Sequence, residues 1–82
     1  MTTVRYWAGA RAAAGTSTDE VQAATLADAV ADVVGRHGPA LAKVLAVCSF
    51  VVDGDPVGAR DHADVPLTGA ALVDVLPPFA GG

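Results

Sequence analysis

The sequence predicts a single α+β domain, and three observations carry that reading. Short apolar or alternating runs stand near both ends and past the middle of the chain. One stretch between them has helical periodicity, and turn residues punctuate the junctions. At 82 residues the chain fits one domain. A domain of this size buries only about 60% of its unfolded surface, so its core is thin. The apolar share is 52%, with much of it in the small residues alanine and valine.

The elements follow in order. Val4-Arg5-Tyr6-Trp7-Ala8 alternates and carries two aromatics, as a half-buried strand does. Val4, Tyr6 and Ala8 share one face; Arg5 and Trp7 share the other. Gly9 to Gly15 is alanine-rich and bounded by glycines, which fits either a loop or one short helical turn. Thr18 to Ala23, centred on Glu20-Val21-Gln22, reads as a second strand returning as a hairpin partner of the first. Thr25 then has the position of a helix N-cap, with Asp28 three residues on. Leu26, Ala29, Val30, Val33 and Val34 form an apolar helical stripe, and Gly35, Gly38 and Pro39 are stop signals. Ala40 to Leu45 fits a short helical piece. Val47 to Asp53 is the next strand, and Asp53-Gly54-Asp55-Pro56 is a turn signal. Val57 to Arg60 fits a brief edge strand, Asp61 to Pro66 a loop, and Ala71 to Leu76 the last strand after a turn at Thr68-Gly69. A twisted mixed sheet wrapped over one main helix is the β-grasp arrangement familiar from ubiquitin. The expected division is a β-grasp domain over 1–76 and an extended, flexible Gly-Gly tail over 77–82.

Composition excludes several function classes. Five basic and nine acidic residues give a formal charge of −4, and the basic residues are scattered. Nucleic-acid binding wants a basic patch, so no nucleic-acid partner is expected. The single cysteine, Cys48, allows neither an internal disulfide nor a cysteine metal cluster. There is no charged start followed by an apolar run, and no apolar stretch approaches the roughly 20 residues of a membrane helix. The expected setting is cytoplasmic, with no membrane contact.

Candidate chemistry within the domain is scarce. His37 and His62 fall in predicted loops and read as solvent-exposed. Cys48 falls in an apolar strand and reads as a core residue, since a reactive thiol needs a nearby positive charge. Asp53, Asp55, Asp61 and Asp64 match no calcium spacing, and turn formation explains them better. No metal site is expected. What remains is the ending, Pro77-Pro78-Phe79-Ala80-Gly81-Gly82. Glycine fits a narrow tunnel and adopts backbone angles that other residues avoid. The prolines favour an extended lead-in, and the six residues span on the order of 20 Å when extended. A loose terminus is the plainer reading of Gly-Gly. Against it, the apolar run Leu72 to Leu76 leads straight into the prolines with no polar spacer. Gly82 is therefore the expected reactive site. Its carboxylate is a poor electrophile until joined to AMP, after which a sulfur nucleophile can displace AMP and leave a thiocarboxylate.

Three passages make the chain resemble sulfur carriers of the MoaD/ThiS type, and most closely the small subunit of molybdopterin synthase. They are Val4-Arg5-Tyr6-Trp7-Ala8 with Arg11 and Gly15, Pro66-Leu67-Thr68-Gly69, and Leu76-Pro77-Pro78-Phe79-Ala80-Gly81-Gly82. The Pro-Pro lead-in is the more specific part, because thiazole-pathway carriers usually lack it. The chain departs from the family's acidic Gly-Asp-Glu-Val turn, having Gly69-Ala70-Ala71-Leu72-Val73 instead, so contacts by those acidic side chains are not carried over.

The resemblance implies no permanently bound cofactor and no catalytic activity of the chain alone. It implies an E1-like adenylating enzyme that uses ATP and magnesium, a persulfide-bearing sulfurtransferase as donor, and a large synthase subunit in a heterotetramer. The large subunit would hold the catalytic side chains, and the carrier would give sulfur to a pterin precursor in molybdenum cofactor synthesis. The docking residues on this reading are Gly81, Ala80, Phe79, Pro78, Pro77, Leu76, Trp7 and Arg11. If Val73 and Val75 face the helix, then Leu72, Asp74 and Leu76 face outward with Arg5 and Trp7. Trp7 reads equally as a docking hot spot or as filler of the small core, and Arg11 as a partner's ion-pair donor or a solvated loop arginine. Carriers for cysteine or thiazole synthesis, a ubiquitin-like modifier and a plain interaction module are the rival functions.

Overall fold

A computed structural model describes residues 1–78. The elements are β1 (Thr2–Tyr6), α1 (Ala8–Ala14), β2 (Thr18–Val21), α2 (Leu26–His37), α3 (Pro39–Leu45), β3 (Ser49–Val52), β4 (Asp55–Pro56), a 3-10 turn at His62–Asp64, and β5 (Leu72–Leu76). The five strands form one mixed sheet in the order β2-β1-β5-β3-β4. β1 and β5 pair in parallel at its centre, and the other neighbours are antiparallel. The β-grasp architecture expected from the sequence is the architecture found.

The core lies between one face of the sheet and the helices. Strand alternation sends Val4 and Tyr6 of β1, Val73 and Val75 of β5, and Phe50 of β3 inward, where they meet Leu26, Ala29 and Val33 of α2. Leu41 and Leu45 of α3 and Ala10 and Ala14 of α1 complete the cluster. The Thr25 hydroxyl accepts the Asp28 N–H at 3.2 Å, which caps α2 as its sequence position predicts. Asp28 in the first turn of α2, and Arg36 and His37 in its last, oppose the helix dipole with the favourable signs.

Several boundaries differ from the sequence expectation, each for an identifiable reason. The alanine-rich segment after Trp7 is a full helix, α1. Five alanines supply its helix propensity, and Gly15 ends it in the left-handed conformation at φ 73°, donating its N–H to the Arg11 carbonyl. β1 consequently stops at Tyr6, with Ala8 turning the chain at φ 48°. Gly35 does not stop α2 but lies inside it; Gly38 is the C-cap, and Pro39 opens α3 at its first position, where a missing N–H costs nothing. β3 starts at Ser49 rather than Val47. The edge strand is Asp55–Pro56 rather than Val57 to Arg60, because Asp53 and Gly54 alone form the hairpin turn. Both have positive φ, at 51° and 83°, and Val52 pairs directly with Asp55. Val57 is buried instead, and Arg60 folds back to donate to the Val57 and Pro56 carbonyls.

The two histidines are corrected as well. His37 is not exposed in a loop: it ends α2, half-buried, with Nε2 against the Asp19 carboxylate and its ring edge-on to Tyr6. His62 sits in the 3-10 turn and meets the Phe50 ring edge-on at 4.9 Å between centroids. Asp19 also accepts the Tyr6 hydroxyl at 2.8 Å. Burial, and then that hydrogen bond, push the Tyr6 phenol well above its ordinary value, so Tyr6 stays protonated and ties β1 to β2.

Leu26 is fully buried between α2 and the sheet. Leu26→Ala is expected to lower stability by about 2–5 kcal/mol, read as a shift in the urea midpoint at unchanged slope. Thr25→Ala, which removes the α2 cap, is expected to cost about 0.5–2 kcal/mol in the same assay.

Candidate functional site

The candidate site is the root of the tail and the sheet surface around it. β5 runs parallel to β1, so Leu76 leaves the sheet at the edge where Tyr6 passes into Trp7. The Trp7 N–H donates to the Val75 carbonyl at 3.2 Å and fixes that junction. On the other side of β5, Leu76 pairs with Ser49 at the start of β3. Pro77 and Pro78 therefore emerge between the Trp7 turn and the segment that joins α3 to β3.

The expected alternation along β5 holds. Val73 and Val75 are buried, Leu72 and Asp74 are half-buried on the opposite face, and Leu76 is exposed. Arg5 lies directly across from Asp74, and Asp74 across from Val51. Arg5 donates through Nε to Asp74 Oδ1 at 2.6 Å and through a second nitrogen to Oδ2 at 3.2 Å. The Trp7 indole N–H donates to the same Oδ1 at 2.9 Å, and the guanidinium stands 5.0 Å from the Trp7 ring centroid. Two neighbouring residues, Arg5 and Trp7, thus join the distant Asp74 in one unit that holds the indole on the outer face. Of the two readings of Trp7, the structure supports the surface one: the residue is 38% exposed and outside the core.

Desolvation pushes the Asp74 carboxyl upward, but hydrogen bonds from Arg5 and Trp7 and the nearby guanidinium charge outweigh it, leaving its pKa below the ordinary carboxylate value. Arg5 is shifted upward mainly by its hydrogen bond to Asp74.

One residue at this site has no counterpart in the sequence reading. Val47, assigned there to the first position of a strand, lies in the turn after α3 and is 64% exposed; Trp7 at 38% and Leu76 at 37% are exposed as well. Strand β3 begins two residues later than its apolar run, and that leaves Val47 outside. Cys48 shares the same turn. Its thiol donates to the Val44 carbonyl at 3.1 Å, and burial pushes its pKa up, which keeps it the inert, core-packed thiol expected from the sequence. Arg11 is exposed on α1, Pro77 is half-buried and Pro78 exposed. Phe79, Ala80, Gly81 and Gly82 lie outside the described residues.

Three of the four aspartates of the 53–64 segment have structural work. Asp53 accepts the Leu72 N–H, Asp61 caps the 3-10 turn at Ala63, and Asp55 faces Arg60. Among the described residues no group of three His, Cys, Asp or Glu side chains is placed to hold a metal ion, and no helix is long and apolar enough to cross a membrane.

A β-grasp domain with a central last strand, an ordered aromatic–arginine–aspartate unit at its exit and a Gly-Gly ending belongs to the class of small ubiquitin-fold proteins. The ThiS family profile matches residues 4–82, and the chain belongs to that family. No curated protein matches it. Among solved structures it is similar to small archaeal modifier protein 1 from Methanosarcina acetivorans, with a TM-score of 0.85 at 20% identity, covering 99% of this chain and 95% of that one. It is similar to a chain of the BexX/CysO complex from Amycolatopsis orientalis, with a TM-score of 0.83 at 21% identity and full coverage of both. It is also similar to a chain of the complex of molybdopterin-converting factor subunits 1 and 2 from Helicobacter pylori, with a TM-score of 0.70 at 21% identity, covering 99% and 97%. At such identities the likenesses establish the fold and do not choose among pathways.

Trp7 is the only tryptophan, so its fluorescence reports on Asp74. Because the folded pKa of Asp74 is depressed, its stabilising contribution is complete above the unfolded carboxylate value of about 3.9 and is lost as pH falls through the lower folded value. The expected result is a Trp7 fluorescence transition with a midpoint below about 3.9, abolished in Asp74→Asn, while far-ultraviolet circular dichroism tracks any global acid unfolding separately.

Proposed function

We propose that this chain is a sulfur carrier and that the Gly82 carboxylate is the group it carries sulfur on. The observation that bears most weight is that the ThiS family match runs through Gly82, on a fold whose central strand ends at Leu76 and passes straight into Pro77-Pro78, with Trp7, Val47 and Leu76 exposed. The working division is a β-grasp body over 1–76 and a tail over 77–82 that reaches into a partner.

The chemistry follows from the tail's lack of any intrinsic leaving group. The Gly82 carboxylate attacks the α-phosphate of ATP on an adenylating enzyme, and pyrophosphate departs with magnesium stabilising its charge. A persulfide sulfur then attacks the acyl carbon and AMP leaves, giving an acyl disulfide. A thiol attacks the donor's sulfur of that disulfide, so Gly82 keeps a thiocarboxylate and the donor ends in an ordinary disulfide. Glycines at 81 and 82 suit this sequence because each enzyme must bring catalytic groups close to the acyl carbon from more than one side.

Among sulfur pathways we place the chain as the small subunit of molybdopterin synthase, the thiocarboxylate giving sulfur to a pterin precursor in the large subunit. The Pro77-Pro78-Phe79 lead-in and the likeness to a chain of the Helicobacter pylori molybdopterin-converting factor complex support this assignment. Two other readings have a specific observation behind them: a carrier for cysteine synthesis, from the likeness to a chain of the BexX/CysO complex, and a protein modifier, from the likeness to small archaeal modifier protein 1.

Incubation with the adenylating enzyme, ATP, magnesium and a persulfide donor is expected to exchange one oxygen for sulfur in the intact mass, and deletion of Gly82 to abolish the exchange. An unchanged mass, with the same enzymes active on a control carrier, would overturn the sulfur-carrier function. Phe79→Ala is expected to weaken binding to the large synthase subunit, by the more than 1 kcal/mol typical of an aromatic anchor, in titration calorimetry. Lysine-linked conjugates in cell extract that vanish with Gly82 would instead favour the modifier.

A further inference from the structure

The chain's charge is divided between two poles, and the tail leaves from the pole that opposes the net sign. Residues 1–18 and 33–52 contain no carboxylate side chain. The fold brings those two stretches together: α1 packs on α3, the first follows Trp7 at the tail root, and the second leads through Val47 into the strand that pairs with Leu76. Arg11 on α1 and Lys43 on α3 are both exposed, and among the described residues neither has a carboxylate partner. The Arg5–Asp74 pair cancels itself. The eight remaining side-chain carboxylates lie in residues 19–32 and 53–64, opposed there by Arg36 and Arg60 and, near Gly69, by the Met1 ammonium. A chain of formal charge −4 thus carries two exposed cations without carboxylate partners on the two helices that adjoin its tail root, and its unpaired acidic side chains lie on other segments.

We infer that this pole is a docking surface for a protein whose acceptor mouth is apolar at its centre and lined with carboxylates at its rim. Trp7, Val47 and Leu76 fill the centre; Arg11 and Lys43 meet the rim. Charge complementarity selects this occupant. An acidic mouth repels the carboxylate-rich end of the chain and attracts the helical pole, so the encounter is oriented with the tail leading. An oriented encounter matters for a carrier whose reactive atom is at the end of a narrow tail, because most random collisions present the wrong end. Two exposed cations contribute more to association rate than to the lifetime of the complex, which the apolar centre governs.

The inference rests on the carrier function for its choice of partner, and stopped-flow association with the adenylating enzyme of the same organism, loaded with ATP and magnesium, tests the two separately. The unaltered chain is expected to associate about tenfold more slowly at physiological than at low salt. Arg11→Gln/Lys43→Gln is expected to lose most of that salt dependence and to be slower by a similar factor at low salt, with dissociation changed less than threefold. Ala59→Glu/Ala70→Glu makes the same change in net charge at exposed positions away from the pole and is expected to leave the low-salt rate within twofold. Binding that ignores salt, a paired glutamine variant as fast as the parent, or a distant pair that slows association equally would each overturn the docking surface while leaving the carrier function standing. Failure of the unaltered chain to bind the enzyme at all would overturn both.

Discussion

Parallel pairing of β1 with β5 is the constraint from which the rest of the molecule follows. It joins the start of the chain to its end: Arg5 and Asp74 are 69 residues apart, yet sit across one ladder. Parallel neighbours cannot be joined by a tight turn, so everything between them must travel around the domain. That intervening chain supplies α2, which covers one face of the sheet, and the β3–β4 hairpin, which extends it. The pairing also makes β5 a central strand, and so the tail is anchored in the best-buried part of the sheet rather than at an edge that frays.

The same pairing builds the outer surface. Buried valines at 73 and 75 fix the register, because a slip of one residue would turn Asp74 into the core. With register fixed, Arg5, Trp7 and Asp74 meet without further instruction. Their hydrogen bonds satisfy the carboxylate and hold an indole against the sheet where it would otherwise be a mobile, aggregation-prone surface aromatic. Leu76, exposed at the end of β5, carries that surface to the point where Pro77 leaves, and Val47 is exposed two residues before Ser49, the pairing partner of Leu76. A rigid, partly apolar platform beside the root of a narrow tail has the form expected of a protein that works by being received rather than by holding a substrate.

Much of this architecture was legible in the residues. The α2 stripe and its Thr25 cap, the inward and outward faces of β5, and the shared face of Arg5 and Trp7 all follow from periodicity. Misplaced boundaries cluster where two signals compete. Gly9 and Gly15 leave the alanine-rich segment open between a loop and one helical turn, although only Gly15 is a terminator and Gly9 is tolerated on an exposed turn of α1. Gly35 and Gly38 were read alike, but only Gly38 has the positive φ that ends α2. The four-residue turn signal Asp53-Gly54-Asp55-Pro56 puts the edge strand at Val57 to Arg60, whereas the two-residue Asp53-Gly54 turn moves it two residues earlier.

The sequence by itself determined the fold class, the strand faces and the chemical nature of the ending, because those depend on local periodicity and on which residues lack side chains or fix φ. Only the tertiary structure decided that Trp7 lies on the surface, since its Nε1–H and its ring are held by Asp74 and Arg5 from strands whose contact no local pattern specifies. Tertiary contact likewise took His37 out of solvent to meet Asp19, exposed Val47, and packed α1 and α3, which carry Arg11 and Lys43 and no acidic side chain, together next to the root of the tail. Each of these depends on which distant segments become neighbours, and that is set by the β1–β5 pairing rather than by any residue's own preference.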